Sequence, residues 1–261
     1  MRKPTYPTTV LASVILLCIA WTIFPQQVAG RVPAQAPTQA EAPKVPLRGA
    51  TNVPRPPVFF HESWKPVPAE RPITQEFVRS PNLELKLYGP GAGGKDSEHT
   101  LNINTRGEPD NVSFIWSGMT EDNWALTLRD KNNYVNLSGP LTKIRWRSMQ
   151  SGFHLLRPVI KTADGKYYVG DKTDGLTVDW HESEIAVGDV RWLALNPKTA
   201  YELPWGGEGL GFQNPDLSKV DEVGFTDLSR GSGHGSGGNS RVNWIEVIGY
   251  PVPRTASATN R

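Results

Sequence analysis

The side chains able to do chemistry are unevenly spread along this chain. Five carboxylates, Asp179, Glu182, Glu184, Glu202 and Glu208, gather in one stretch of the sequence. Two carboxyl groups about 5 to 9.5 Å apart suffice to cleave a glycosidic bond, and sequence spacing does not report that separation. The ordinary alternative is a set of solvated charges, since Asp and Glu are mostly exposed in any domain. Other catalytic devices fail on inspection. There is no Gly-x-Ser-x-Gly nucleophile elbow and no phosphate-binding P-loop. Gly233, Gly235 and Gly238 match the spacing G-x-G-x-x-G, but a dinucleotide site needs a helix after that turn, and a strand follows here. His61-Glu62 and His181-Glu182 each open like a zinc-protease helix, yet neither has a second His three residues past the Glu. No cofactor and no turnover are expected from these patterns.

What remains is suited to recognition. Eight of the nine tryptophans lie beyond Gly30. A Trp on a core face is a large hydrophobe, whereas one on an outer face or loop offers its π-face to a ligand. Trp146 and Trp244 alternate with core residues and read as structural; Trp116 and Trp124 fit either role. Trp180, just before His181-Glu182, and Trp205, in Leu203-Pro204-Trp205-Gly206-Gly207, fall at strand ends or in loops, where binding residues concentrate. With them we group Arg145, Arg147 and His154 as candidate ligand-binding residues. Guanidinium donors suit hydroxyl and carboxylate acceptors, which slightly favours an acidic polysaccharide. An ordinary solvated strand face is the competing account of the two arginines.

The elements that must position these residues are strands. From Leu141 to Ser148, Ile144 and Trp146 alternate with Lys143, Arg145 and Arg147, the period of two of a half-buried strand. A four-residue turn from Met149 to Gly152 would return the chain through Phe153 to Lys161. That hairpin places Trp146 beside Leu155, and Arg147 beside His154 on a polar face. Asp164-Gly165 then predicts a tight hairpin into Tyr167 and Val169. Further strands are expected at Leu83 to Leu87, Val112 to Trp116, Trp124 to Leu128, Leu176 to Trp180, Val190 to Leu195, Val220 to Thr226 and Val242 to Gly249. Long helical apolar periodicity is missing, so the fold class is all-β, a sandwich or barrel.

At the N-terminus, Arg2 and Lys3 precede the apolar run Val10 to Phe24. The run is shorter than the roughly 20 residues of a membrane span and fits a signal-peptide core, with Val28-Ala29-Gly30 as the cleavage region. Residues 1–30 are therefore expected to be a signal peptide or, uncleaved, an anchor, and the protein to be exported to periplasm, cell surface or medium. Cys18, the single cysteine, lies in that segment, so no intrachain disulfide forms. Residues 31–57 hold seven prolines and read as a disordered linker. One domain follows over 58–253, then a polar disordered tail over 254–261. The net charge of +2 without a clustered basic run gives no basis for a nucleic-acid partner. Membrane contact would run only through an uncleaved N-terminal segment.

Five segments taken in order, Val135-Asn136-Leu137-Ser138, Lys143 to Arg147, Phe153 to Val159, Asp216 to Phe225 and Trp244 to Gly249, resemble the galactose-binding-like jelly rolls. The pattern is similar to that of carbohydrate-binding modules of that superfamily and also to domains of uncharacterised exported bacterial proteins. It covers roughly residues 113 to 249; the Gly-rich loop from Gly89 to His99 departs from the simplest modules. The resemblance implies a jelly-roll β-sandwich that binds glycan or cell-envelope polysaccharide without turning it over. It also implies that Asp164, Asp171 and Asp174 could bind a structural Ca²⁺, although the turn already explains Asp164. The alternatives are a glycan-active hydrolase or lyase of the sandwich class, and an envelope structural or protein-adaptor module.

Overall fold

The computed structural model describes residues 54–92, 100–107, 112–118, 120, 122–152, 154–177, 179–202, 211–227 and 239–254. The expected signal segment, most of the linker, Trp205, Glu208, the glycines around Gly235 and nearly all of the tail lie outside the described residues. So does most of the Gly89 to His99 loop.

In chain order the strands are β1 (Val58–Glu62), β2 (Arg71–Pro72), β3 (Leu83–Tyr88), β4 (Asn102–Arg106), β5 (Val112–Trp116) and β6 (Trp124–Asp130). β7 (Asn133–Asn136), β8 (Lys143–Gln150), β9 (Leu156–Thr162), β10 (Tyr167–Gly170) and β11 (His181–Ala186) follow. β12 (Trp192–Asn196), β13 (Tyr201–Glu202), β14 (Val220–Asp227), β15 (Ser240–Ile248) and β16 (Tyr250–Pro253) complete the set. The helical residues among those described form short 3₁₀ turns. All pairing is antiparallel, in two sheets, as the alternating patterns require. A seven-stranded sheet runs β11-β8-β15-β5-β4-β2, with β1 also on β15. A nine-stranded sheet runs β13-β12-β10-β9-β14-β6-β3, with β7 joining β14 and β16. The protein is a β-sandwich.

The inner faces meet in one core. Ile144 and Trp146 of β8 and Ile245 and Val247 of β15 pack with Leu126 and Leu128 of β6, Ile160 of β9 and Val223 and Phe225 of β14. At roughly 1.5 to 3 kcal/mol for each large side chain fully buried, this layer dominates stability. Glu62 is buried among these hydrophobes yet satisfied, its carboxylate accepting from the backbone N–H groups of Trp64, Arg79 and Ser80. The exposed edge of β3 is closed by a side chain: Leu85 donates to Gln75 Oε1 (2.7 Å) and Gln75 Nε2 donates to Leu83 O (2.9 Å). That amide stands where a foreign strand would otherwise dock.

The Asp164-Gly165 hairpin forms as expected, with Tyr167 opposite Lys161 and Gly165 at φ +84°. The hairpin expected before it does not form. β8 is flanked by β15 and β11, whereas β9 lies in the other sheet between β14 and β10. Between β8 and β9 the chain passes from one sheet to the other instead of folding back, and both ladder sides of β8 are taken by other strands. Trp146 consequently faces Ser183 and Ile245 across its ladders, and Leu155 is an exposed connector residue. Leu176 to Trp180 is not a strand either; Leu176 is 70% exposed, and the strand starts at His181.

Candidate functional site

Alternation along β8 sends Ile144, Trp146 and Ser148 into the core and Lys143, Arg145, Arg147 and Met149 to the outer face of the seven-stranded sheet. The neighbouring strands decorate that face. β11 sets Glu182 opposite Arg147 and Glu184 opposite Arg145. β15 sets Arg241 opposite Met149, Trp244 opposite Arg147 and Glu246 opposite Arg145. β1 adds His61 opposite Glu246, and β5 adds Trp116 opposite Arg241.

Trp244 is on this face because β15 bulges just before it. Register shifts between Val242 and Trp244, so Asn243 bulges out and the inward phase passes from Val242 to Ile245 and Val247. The structural role expected for Trp244 is thereby corrected: its half-buried indole lies outside the core, 5.2 Å from the His61 ring and 5.8 Å from the Arg145 guanidinium. Trp124 is a core residue beside Phe225 and Trp116 is half-buried on the outer face.

Charge is segregated along the face. At one end Arg145 donates to Glu246 (2.8 Å) and Glu182 (3.4 Å) and lies 3.6 Å from Glu184, which also pairs with Lys143. At the other end Arg147 donates to Asn243 Oδ1 (3.1 Å) and stacks on Trp180, 5.5 Å from its ring centroid. Trp180 in turn leans on Phe114, at 5.5 Å. Beyond it opens a cavity of about 500 Å³ lined by Asn104, Arg106, Phe114, Met149, Trp180 and Arg241.

The expected site residues are thus divided. Arg145, Arg147 and Trp180 share the face; His154 does not. His154 is 7% exposed, sits in the crossing segment and bonds Asp227, the last residue of β14. Its expected place beside Arg147 is overturned because the two strands belong to different sheets. Of the carboxylates, Glu182 and Glu184 reach the face and are held by Arg145; Asp179 is exposed and accepts from the Trp180 N–H. Glu202 lies in β13, and its side chain is outside what is described.

The three aspartates considered for Ca²⁺ do not converge. Asp164 binds Thr162 and Lys166, Asp171 binds Arg191, and Asp174 collects Trp146 Nε1 (2.8 Å), Ser148 Oγ (2.6 Å) and His181 Nε2 (2.7 Å). Hydrogen bonds from Thr162 and Lys166 pull the Asp164 carboxyl down to about 2. Among the described residues no three His, Cys, Asp or Glu side chains gather as a metal site.

The nine-stranded sheet has its own outer cluster, which the sequence did not suggest. Glu222 accepts from Tyr88 (2.7 Å), Thr127 (2.5 Å) and Lys161 (2.9 Å). Burial, the Tyr167 hydroxyl and the Glu222 carboxylate push the Tyr88 phenol well above its ordinary range. Every oxygen of that carboxylate is already engaged, so this is a closed structural network.

An all-β sandwich with one aromatic and charged outer face is the class these observations define. Solved structures with a similar fold include carbohydrate-binding modules. A family 11 module from Clostridium thermocellum, in complex with a β-1,3-1,4-mixed-linked tetrasaccharide, aligns with a TM-score of 0.38 and 16% identity over 71% of this chain and 98% of the module. A family 29 module aligns at 0.33 and 11%, over 64% of this chain and 93% of the module. An exo-β-agarase aligns at 0.32 and 9% over 71% of this chain, which spans 25% of that enzyme. No protein-family model matches the chain, and no curated protein does.

Proposed function

We propose that this chain is an exported β-sandwich that binds carbohydrate on the outer face of its seven-stranded sheet without cleaving it. The observation that carries the reading is the pairing of two half-buried indoles, Trp180 just before β11 and Trp244 on β15, with Arg145 and Arg147 of β8 between them. Indole faces suit the axial C–H groups of a sugar, and guanidinium and amide donors suit its hydroxyls. The carboxylates favour binding over hydrolysis. Among the described residues, Glu182, Glu184 and Glu246 on this face all lie against Arg145 and are occupied as its ion-pair partners. Export is proposed from Arg2, Lys3 and the apolar run that follows them; among the described residues no helix is long and apolar enough to cross a membrane. Mass spectrometry of the mature N-terminus checks cleavage after Gly30.

The test is a glycan array with the full chain, followed by calorimetry on each hit. Trp180→Ala and Trp244→Ala should each weaken binding roughly tenfold, the worth of one aromatic contact, with the circular dichroism spectrum unchanged. Wild-type affinity in both folded variants would remove the proposed face. Shortening of a bound oligosaccharide, lost on Glu182→Gln, would replace binding by catalysis.

A further inference from the structure

The cavity at the Trp180 end of the face holds one arginine, Arg241, whose side chain the described residues leave unpaired. Arg241 is half-buried in β15 and its side chain, among the described residues, makes no hydrogen bond and no ion pair. Burial, with the neighbouring Arg106 cation, pushes its guanidinium below the ordinary arginine range. A desolvated cation is costly unless paired. The nearest acidic groups across the ladders do not serve it: Glu182 stands opposite Arg147 but leans to Arg145, and Glu246 is taken by Arg145 and His61. The cavity also offers a stacking surface in Trp180, whose buried indole N–H has no acceptor, and the Asn104 side chain, whose Nδ2 is fixed by Glu70 at 3.1 Å.

We infer that this cavity is an anion subsite that takes the carboxylate or sulfate ester of an acidic sugar residue on Arg241, with the ring against Trp180. The inference rests on the carbohydrate reading and gives it a ligand class. Planar guanidinium donors match a carboxylate or sulfate in two-point geometry, which a neutral hydroxyl cannot offer. The opposite end of the face, where carboxylates surround Arg145, would repel a second acidic residue, so charged units are accepted at one end only.

The experiment compares oligogalacturonate, its fully methyl-esterified form and a sulfated galactan on the full chain by calorimetry at 50 and 300 mM NaCl. At least one acidic ligand should bind roughly tenfold tighter than the neutral ester, with the advantage shrinking in salt. Preference for oligogalacturonate identifies a carboxylate subsite, and preference for the galactan a sulfate subsite. Arg241→Gln should abolish the advantage by weakening the acidic ligands far more than the ester; Arg241→Lys should keep its salt dependence but lower its size. Trp244→Ala, outside the cavity, should weaken all ligands alike. If the ester binds as tightly as both acidic ligands, or if folded Arg241→Gln keeps the preference, the subsite is wrong and the binding face stands. If none of the three ligands binds, the subsite is overturned, while a hit on the glycan array that weakens with Trp244→Ala still supports the face. No hit there overturns both.

Discussion

Replacing Asp174 by alanine should test whether the candidate face is held in place from beneath. Asp174 is nearly buried and belongs to neither sheet, yet it binds both. Its backbone exchanges two 2.8 Å hydrogen bonds with Leu156 at the start of β9, and its carboxylate reaches under β8 and β11 to Trp146, Ser148 and His181. Truncation leaves the Trp146 N–H and the Ser148 hydroxyl without their acceptor in the core, each costing about 1 to 3 kcal/mol. A combined loss of about 3 to 5 kcal/mol is expected, a large share of the 5 to 15 kcal/mol that typically holds a domain together. For a domain of this size that lowers the melting temperature by about 10 °C or more. Asp174→Asn keeps one oxygen able to accept from both donors and should lose less than half as much. Urea unfolding followed by tryptophan fluorescence and far-ultraviolet circular dichroism reads both values. A loss below 1 kcal/mol for the alanine variant, or equal losses for the two, would refute the account of Asp174 as the shared acceptor.

Three further outcomes follow from the packing. Glu62→Ala strands the backbone N–H groups of Trp64, Arg79 and Ser80 and should cost about 3 kcal/mol or more, seen as a lower urea midpoint. Gly224→Ala should give insoluble protein, because its Cβ would stand 1.9 Å from Leu126 O and 2.5 Å from Thr127 Cα on the adjacent strand; soluble variant with native circular dichroism would contradict the register. At Asp221, burial raises the carboxyl, but Arg254 and Arg129 outweigh it and hold the group below its ordinary value of 3.8. A depressed folded value means a contribution present above the unfolded value and lost as pH falls through the folded one. Asp221→Asn should therefore be less stable than wild type at pH 7 by about 1 to 3 kcal/mol, with the gap narrowing below about pH 4; a gap independent of pH down to 2 would sink the assignment.

Period-two alternation reports which face a residue takes, and that much of the fold was legible: β3, β5, β6, β8, β12, β14 and β15 stand where Leu, Val, Trp and Ile alternate with polar residues. It does not report which strand lies alongside. A short Gly-containing connector such as Met149 to Gly152 serves equally for a hairpin and for a crossing between sheets, and local sequence carries no term for the choice. The choice is made at long range, by β15 and β11 taking both edges of β8. β11 itself was hidden because only Ile185 among its outward and inward positions is a buried hydrophobe; an edge strand needs little apolar surface to pair. The bulge did leave a trace. Val242, Ile245 and Val247 are spaced three and then two apart, a break that one extra residue in a strand produces and a regular strand does not. Were the strand regular through Asn243, with no bulge, the indole of Trp244 would sit in the core and the Ile245 side chain on the face. The bulge thus keeps half of the aromatic pair on the face, and the side chain of its extra residue holds Arg147 against Trp180, the other half.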